Sequence, residues 1–339
     1  MAAMPSGSRA KRSVLVLGDI IVDLIGRVKA WPQPGDDCLA PRLEMHCGGV
    51  AANCAFALAR WGMRPRLLGC VGRDNFGEYL LHMLRRARVD VRWVQRSAKA
   101  MTGLLYVNVT PDGQRTFFGS RAANGLVRRV AQGSAFYRGA AGAHVVGYNF
   151  LDPATEKAAR QLMRTIRARG GWIALDVGAL PSQQIPRKIL QLCANVDILF
   201  VNRDEAAALT GMRDPRKAFA RLQKTGARQV VMKLGKRGCL LVEDATLLEV
   251  PSCVVRAVDS TGAGDAFVAA FLQGRMRGWP LAESALAANA AGALAASVVG
   301  AGANLPGARE VAALLRHERY GGKWDAVRRN ILERLRIVS

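Results

Sequence analysis

Short apolar runs rich in β-branched residues alternate along this chain with longer stretches whose apolar positions recur every three or four residues. The first kind reads as buried strands and the second as amphipathic helices. Ser13–Leu17, Arg66–Val71, Ala143–Val146, Trp172–Asp176, Asp197–Val201 and Gln229–Lys233 are predicted strands. Gly49–Trp61, Phe76–Arg86, Ala154–Arg169, Gln184–Cys193, Asp204–Leu209 and Pro215–Thr225 are predicted helices. This rhythm predicts an α/β fold, a parallel central sheet flanked by helices on both faces.

Two stretches break the rhythm. Residues 20–46 hold the turn Trp31-Pro-Gln-Pro-Gly35 between two extended segments. Residues 91–120 read as three strands, with Gly103–Val109 rich in strand formers and Pro111-Asp-Gly113 as a hairpin turn. Antiparallel strands inserted early in an α/β chain predict a small separate sheet, a β lid. Leu286–Ala303 is apolar but built mainly of Ala and Gly and interrupted by Asn289. It reads as a packed core helix, not a membrane span. Residues 1–12 are polar and basic without an apolar stretch and read as a disordered tail, not a signal peptide. Residues 321–339 read as one basic helix after a Gly-Gly break. One domain over 13–320, carrying the lid, is therefore expected between these two tails.

Composition changes this picture little. With 339 residues, 50% of them hydrophobic, the chain can bury a large core. The net charge of +23 comes mainly from arginine, since only 10 of the 49 basic residues are lysine. Such a field attracts anions, nucleotides and nucleic acid among them. The basic residues are scattered without a long run, so a solvated basic surface accounts for them and nucleic acid is not the expected partner. Seven cysteines with no C-x-x-C pair argue against a disulfide framework and a zinc site. A cytoplasmic protein without a membrane partner is expected.

The chemistry concentrates in Val254-Val-Arg-Ala-Val-Asp-Ser-Thr-Gly-Ala-Gly-Asp-Ala-Phe267. A strand is predicted to run into a small-residue turn that opens a helix. Helix N-termini offer unpaired backbone N–H groups and partial positive charge, and glycines let a phosphate approach them. The amides of Gly262, Ala263, Gly264 and Asp265 are thus a candidate anion site. Asp265, in the first turn, can take the proton of an attacking hydroxyl. Taken alone, Gly-x-Gly-Asp reads more readily as a tight turn followed by a favourable first-turn acid.

The string Asp259-Ser-Thr-Gly-Ala-Gly-Asp-Ala-Phe267 resembles the C-terminal signature of the ribokinase (PfkB) family of carbohydrate kinases. Further segments extend the resemblance over nearly the whole chain. Gly18-Asp-Ile-Ile-Val-Asp23 is similar to the family's first strand, which implies that Asp23 holds substrate hydroxyls. Cys47-Gly-Gly-Val-Ala-Ala-Asn53 resembles the glycine pair and asparagine of the substrate site, giving Gly48, Gly49 and Asn53. Asn202-Arg-Asp-Glu205 resembles the N-x-x-E that organises Mg²⁺ through water. Leu234-Gly235 to Gly238 resembles a nucleotide-side loop, next to Lys233. Asn289 is a weaker candidate for the adenine pocket. Asp259 and Thr261 fall where family members bind a monovalent cation, which implies K⁺ as an additional ligand. The resemblance implies a ribokinase-like fold and ATP with Mg²⁺. It further implies transfer to a sugar or nucleoside hydroxyl with Asp265 as base, and a homodimer through the lid.

The acceptor is less defined. On the lid side, Arg115 and Arg121 could pair with a carboxylate or phosphate of the substrate, or simply with acids across the lid. Related acid-sugar kinases carry D-x-N-x-R after the middle strand; here it is Asp176-Val-Gly-Ala-Leu180, without the asparagine and arginine. A neutral sugar or a nucleoside is favoured accordingly. The alternative of another class is a non-catalytic nucleotide- or nucleic-acid-binding protein on a kinase fold.

Overall fold

A computed structural model describes residues 13–111 and 115–336. The chain opens with strand β1 (Ser13–Leu17) and passes through β2 (Ile21–Arg27) and β3 (Leu43–Gly48). It returns by helix α1 (Val50–Arg60) to β4 (Arg64–Leu68). Strand β5 (Cys70–Gly72) and helix α2 (Asn75–Arg86) lead to β6 (Gln95–Ser97), β7 (Gly103–Val109) and β8 (Arg115–Ser120). From β9 (Ala140–Val146) the chain alternates through α3 (Pro153–Ala168), β10 (Trp172–Asp176), α4 (Ala179–Gln184) and α5 (Pro186–Cys193). It continues with β11 (Ile198–Asn202), α6 (Arg203–Thr210), α7 (Pro215–Gln223) and β12 (Gln229–Lys233). A hairpin, β13 (Cys239–Glu243) and β14 (Thr246–Val250), precedes helices α8 (Ala263–Met276), α9 (Leu281–Ala296), α10 (Ala308–His317) and α11 (Gly322–Arg336).

The central sheet runs β14-β13-β12-β11-β10-β9-β1-β4. Its pairings from β12 to β4 are parallel, and the β13–β14 hairpin closes one edge antiparallel. Side chains of a strand alternate between faces, and both faces here are apolar. In β1, Val14 and Val16 join the core under α1, α8 and α9, while Leu15 and Leu17 join the core under α3, α5 and α7. On the first face Phe200 of β11 meets Phe271 of α8 edge-on, with ring centroids 5.4 Å apart. That contact seats α8, whose first turn carries Asp265, against the strand ends.

The lid is a second sheet, β3-β2-β7-β8. Its outer pairings are antiparallel, and β2 and β7 lie side by side in parallel. Both irregular stretches of the sequence contribute to it. The third predicted strand of 91–120, β6, instead pairs with β5. The turn predicted at Pro111-Asp-Gly113 falls mostly outside the described residues, as does the side chain of Arg115.

Other expectations fail. Arg66–Val71 is split between β4 and β5 at Gly69, and the helix expected over Leu286–Ala303 ends at Ala296. Residues 251–258 form no strand, and Val254 is 90% exposed. Val258 is exposed as well, and strand propensity without a face to bury does not make a strand.

The small residues of α9 let it pack closely on α8 as a core helix. Among the described residues no helix is long and apolar enough to cross a membrane, and all seven cysteines are free thiols. Helix α11 is more than a basic tail. Ile331 is fully buried, and Asn330 and Arg334 donate to the buried Glu283 of α9 at 3.1 and 2.5 Å. Ile331→Ala should therefore lower unfolding free energy by about 2–5 kcal/mol in a denaturant titration. No change would mean that α11 stands outside the cooperative fold.

Candidate active site

Parallel strands end together, and in open α/β sheets the crevice beyond their carboxyl ends is where ligands bind. Here those ends deliver Asp19 after β1, Asp176 at the end of β10, Asn202 at the end of β11 and Lys233 at the end of β12. The first turn of α8 and the lid strand β2 face them with Asp265 and Asp23.

The turn before α8 is shaped for close approach. Gly262 has φ +76° and caps the helix in the left-handed region that glycine tolerates. The Gly264 and Asp265 amides, in the first turn, have no intrahelical acceptor. A Cβ on Gly264 would lie 3.3 Å from the Lys233 ammonium, so cation and amides point into one space. Such an arrangement can receive an anion.

Asp265 is buried, and its carboxyl is pushed up to about 7. Desolvation is the largest cause and the nearby charge of Asp176 the next; a hydrogen bond with Asn53 and the Lys233 charge oppose them. Asn53, on α1, also accepts from the Gly302 amide at 3.1 Å, which ties α1, α8 and the 300–305 loop together.

On the lid side, Asp23 is likewise buried and raised to about 7, by desolvation and then by Asp259. The Gly48-Gly49 pair exists for lack of room. A Cβ on Gly48 would sit 2.1 Å from an Asp23 oxygen, and Gly49, at φ +91°, would place one 2.4 Å from the Asp19 carbonyl. The glycines thus press the entry of α1 onto both acids. Asp23, Gly48, Gly49, Asn53 and Asp265 share one wall of the crevice.

Asn202 and Glu205 form a reciprocal cap on α6. The Asn202 side chain accepts from the Asp204 and Glu205 amides, and Glu205 Oε2 accepts from the Asn202 amide at 2.8 Å. Glu205 is buried and raised to about 7, by desolvation first, with Lys233 opposing. Its Oε1 takes no hydrogen bond among the described residues. Gly235 and Gly238 make the tight β12–β13 turn beside Lys233, with φ +60° and +87°.

Three further residues turn out to be tied into the scaffold. Asp259 accepts from the amides of Thr261 (2.8 Å) and Gly300 (2.9 Å), clasping the glycine turn to the next loop. Asn289 donates to the carbonyls of Val250 and Pro251, at 3.0 and 2.9 Å, and holds the end of β14. Arg121 directly follows β8 and is bidentate to Asp19, at 2.8 Å for both bonds, and also bonded to Asp152. Its guanidinium is thereby neutralised twice over.

Sequence reasoning overlooked Asp176. It is buried and pairs with Lys233, Oδ1 to Nζ 3.1 Å. Its signal was available: an acid ending a wholly apolar strand, at the edge where ligands bind. Asp19, just after β1, is the anchor of Arg121.

Comparison with known proteins gives the family. Residues 11–308 match the model of the pfkB family carbohydrate kinases. The chain is 30% identical to aminoimidazole riboside kinase of Salmonella typhimurium over 88% of this chain and 93% of that protein. It is 32% identical to fructokinase-1 of Oryza sativa, over 90% and 99%. It superposes on Arabidopsis thaliana ribokinase, solved with ribose and ATP, with a TM-score of 0.80 at 26% identity, covering 91% of this chain and 99% of that one. The chain belongs to the pfkB family and is a carbohydrate kinase of ribokinase-like fold, one that transfers phosphate to a sugar-type hydroxyl.

A raised carboxyl must lose its proton before it can act as a base. With Asp23 and Asp265 both near 7, kcat/KM should fall as pH drops from about 8 to about 6 and level off above. A pH–rate profile flat over that range would contradict the buried-acid description.

Proposed function

We propose that the chain moves the γ-phosphoryl group of ATP to a hydroxyl of an uncharged sugar, or of the sugar of a nucleoside, with Asp265 as general base. The observation that carries this reading is the convergence of one buried carboxylate, the free first-turn amides of α8 and the Lys233 ammonium on one space. ATP fits the nucleotide side, where Gly235 and Gly238 turn the chain beside Lys233. Asp23, Asn53 and the Gly48-Gly49 backbone offer the acceptors and donors that a polyhydroxy substrate needs.

In the reaction the acceptor hydroxyl gives its proton to the Asp265 carboxylate as its oxygen bonds to the γ-phosphorus. The bond from that phosphorus to the bridging oxygen breaks, and ADP leaves. Gly262, Ala263 and Gly264 shape the amide cradle, and Lys233 meets the charge on the transferring group. Mg²⁺, when bound with ATP, neutralises phosphate charge. Among the described residues no three acids or imidazoles are grouped to cage a metal. Glu205, with one oxygen left over from the cap, fits a metal held mainly by phosphates and water.

The same reading extends to K⁺. Asp259 spends its carboxylate on two amides, so the Asp259–Thr261 turn would offer a monovalent cation main-chain carbonyls. Activity rising with K⁺, and not with an equal concentration of tetramethylammonium, is the expected result. For the acceptor, Arg121 is already paired, which favours an uncharged substrate; Arg115 is a proposed contact that would favour an anionic one. The nucleoside reading rests on the likeness to aminoimidazole riboside kinase. Trp31, Leu43, Met45, Phe117 and Phe118 are exposed on the lid, and Trp31 stacks on Phe118. They suit a homodimer through that sheet. A cytoplasmic location belongs to the same reading.

Asp265→Asn tests the central assignment. It should cut kcat on any accepted sugar or nucleoside by about 10²–10⁴-fold with the fold intact. Near wild-type turnover would refute Asp265 as base.

A further inference from the structure

We infer that Asp176 is a positioning residue for phosphoryl transfer, acting through Lys233. The inference rests on the proposed kinase mechanism. Strands β10 and β12 are not neighbours; β11 lies between them. Asp176 pairs in register with Phe200, which pairs with Val231, so Lys233 stands two residues further along its strand. All these side chains lie on the face that packs against α1 and α8. To reach Asp176 at 3.1 Å, the lysine arm must lie back across the end of β11. A lysine at a strand end normally extends into water, where its charge is best solvated. Here Asp176 holds the ammonium over the glycine turn, 3.3 Å from the space next to the Gly264 Cα.

The pairing also decides which acid does not get the lysine. Glu205 and Asp265 attract the same ammonium, each less than Asp176 does. Were Lys233 to settle on Asp265, the base would be masked and the cation withdrawn from the phosphate. Were it to settle on Glu205, it would leave the turn. Asp176 is committed to its role. Lys233 is its described side-chain partner, and the neighbouring His144 is fully buried with neither ring nitrogen hydrogen-bonded. Nothing described draws Asp176 elsewhere. Asp176 touches the lysine and not the reacting atoms, so the pair behaves as one functional unit.

The test is a double-mutant cycle in the full chain, read as kcat and KM for Mg·ATP and for one accepted sugar. Asp176→Asn should lower kcat about 10- to 100-fold, with KM for the sugar changed less than about threefold. Lys233→Met should lower it at least as far. The double variant should match Lys233→Met within about twofold, because without the lysine Asp176 has nothing to position. Asp176→Glu, which keeps the charge, should recover part of the loss. Multiplying effects in the double variant, or wild-type kcat in Asp176→Asn, would overturn the inference. If Asp176→Asn alone does not fold, the charge-balanced double variant against Lys233→Met decides the matter: equal kcat supports the inference and a lower kcat in the double variant overturns it. Failure of the kinase mechanism shows separately, as absence of turnover by the wild type. In that case the same cycle is read on Mg·ATP binding by calorimetry, where additive losses overturn the pairing and non-additive losses support it.

Discussion

One ammonium among four buried carboxylates is the constraint on which this site depends. Asp23, Asp176, Glu205 and Asp265 are all buried around the strand ends, and Lys233 is the cation placed among them. Burial away from water makes Asp23, Glu205 and Asp265 resist ionisation, and repulsion adds to it, from Asp259 at Asp23 and from Asp176 at Glu205 and Asp265. Three of the four are held near 7 for that reason. Such a cluster costs stability and persists because the surrounding packing fixes it, as with the Phe200–Phe271 contact that seats α8. In the proposed reading, the first-turn amides of α8 and Lys233 supply the positive side that a polyphosphate needs in this acid-lined crevice.

The fold places these groups with little freedom. Parallel strands bring Asp176, Asn202 and Lys233 to one rim, a capped helix brings Asp265 to them, and the lid strand β2 carries Asp23. The Arg121 clamp on Asp19 and Asp152 fastens the lid to that rim. A guanidinium so occupied is not available to an acidic substrate, in keeping with the missing arginine after β10, where Leu180 stands.

Much of this was legible in the sequence, for physical reasons that differ by element. The apolar strands Trp172–Asp176 and Gln229–Lys233 match the structure residue for residue, because a strand buried on both faces leaves an unbroken apolar run. The glycine turn and Asp265 were legible because their parts are contiguous. The Asn202–Glu205 cap was legible as an N-cap residue with an acid three places on. The Lys233–Asp176 pair was not legible, since its partners lie on strands separated by a third. Nor was the bonding of Asn289 and Asp259, whose polar side chains satisfy backbone groups far along the chain. Val254–Val258 misled because β-branched residues signal a strand only where they have a face to bury, and Val254 and Val258 lie in solvent.

The most direct measurement is a crystal structure of the chain with Mg²⁺, a non-hydrolysable ATP analogue and an accepted sugar. The account predicts a γ-phosphate oxygen within hydrogen-bonding distance of Lys233 Nζ and of the Gly264 or Asp265 amide. It also predicts the Asp265 carboxylate on the acceptor hydroxyl, with Asp176 still on the lysine. A γ-phosphate bound away from Lys233 and the α8 turn, or an acceptor hydroxyl out of reach of Asp265, would contradict it.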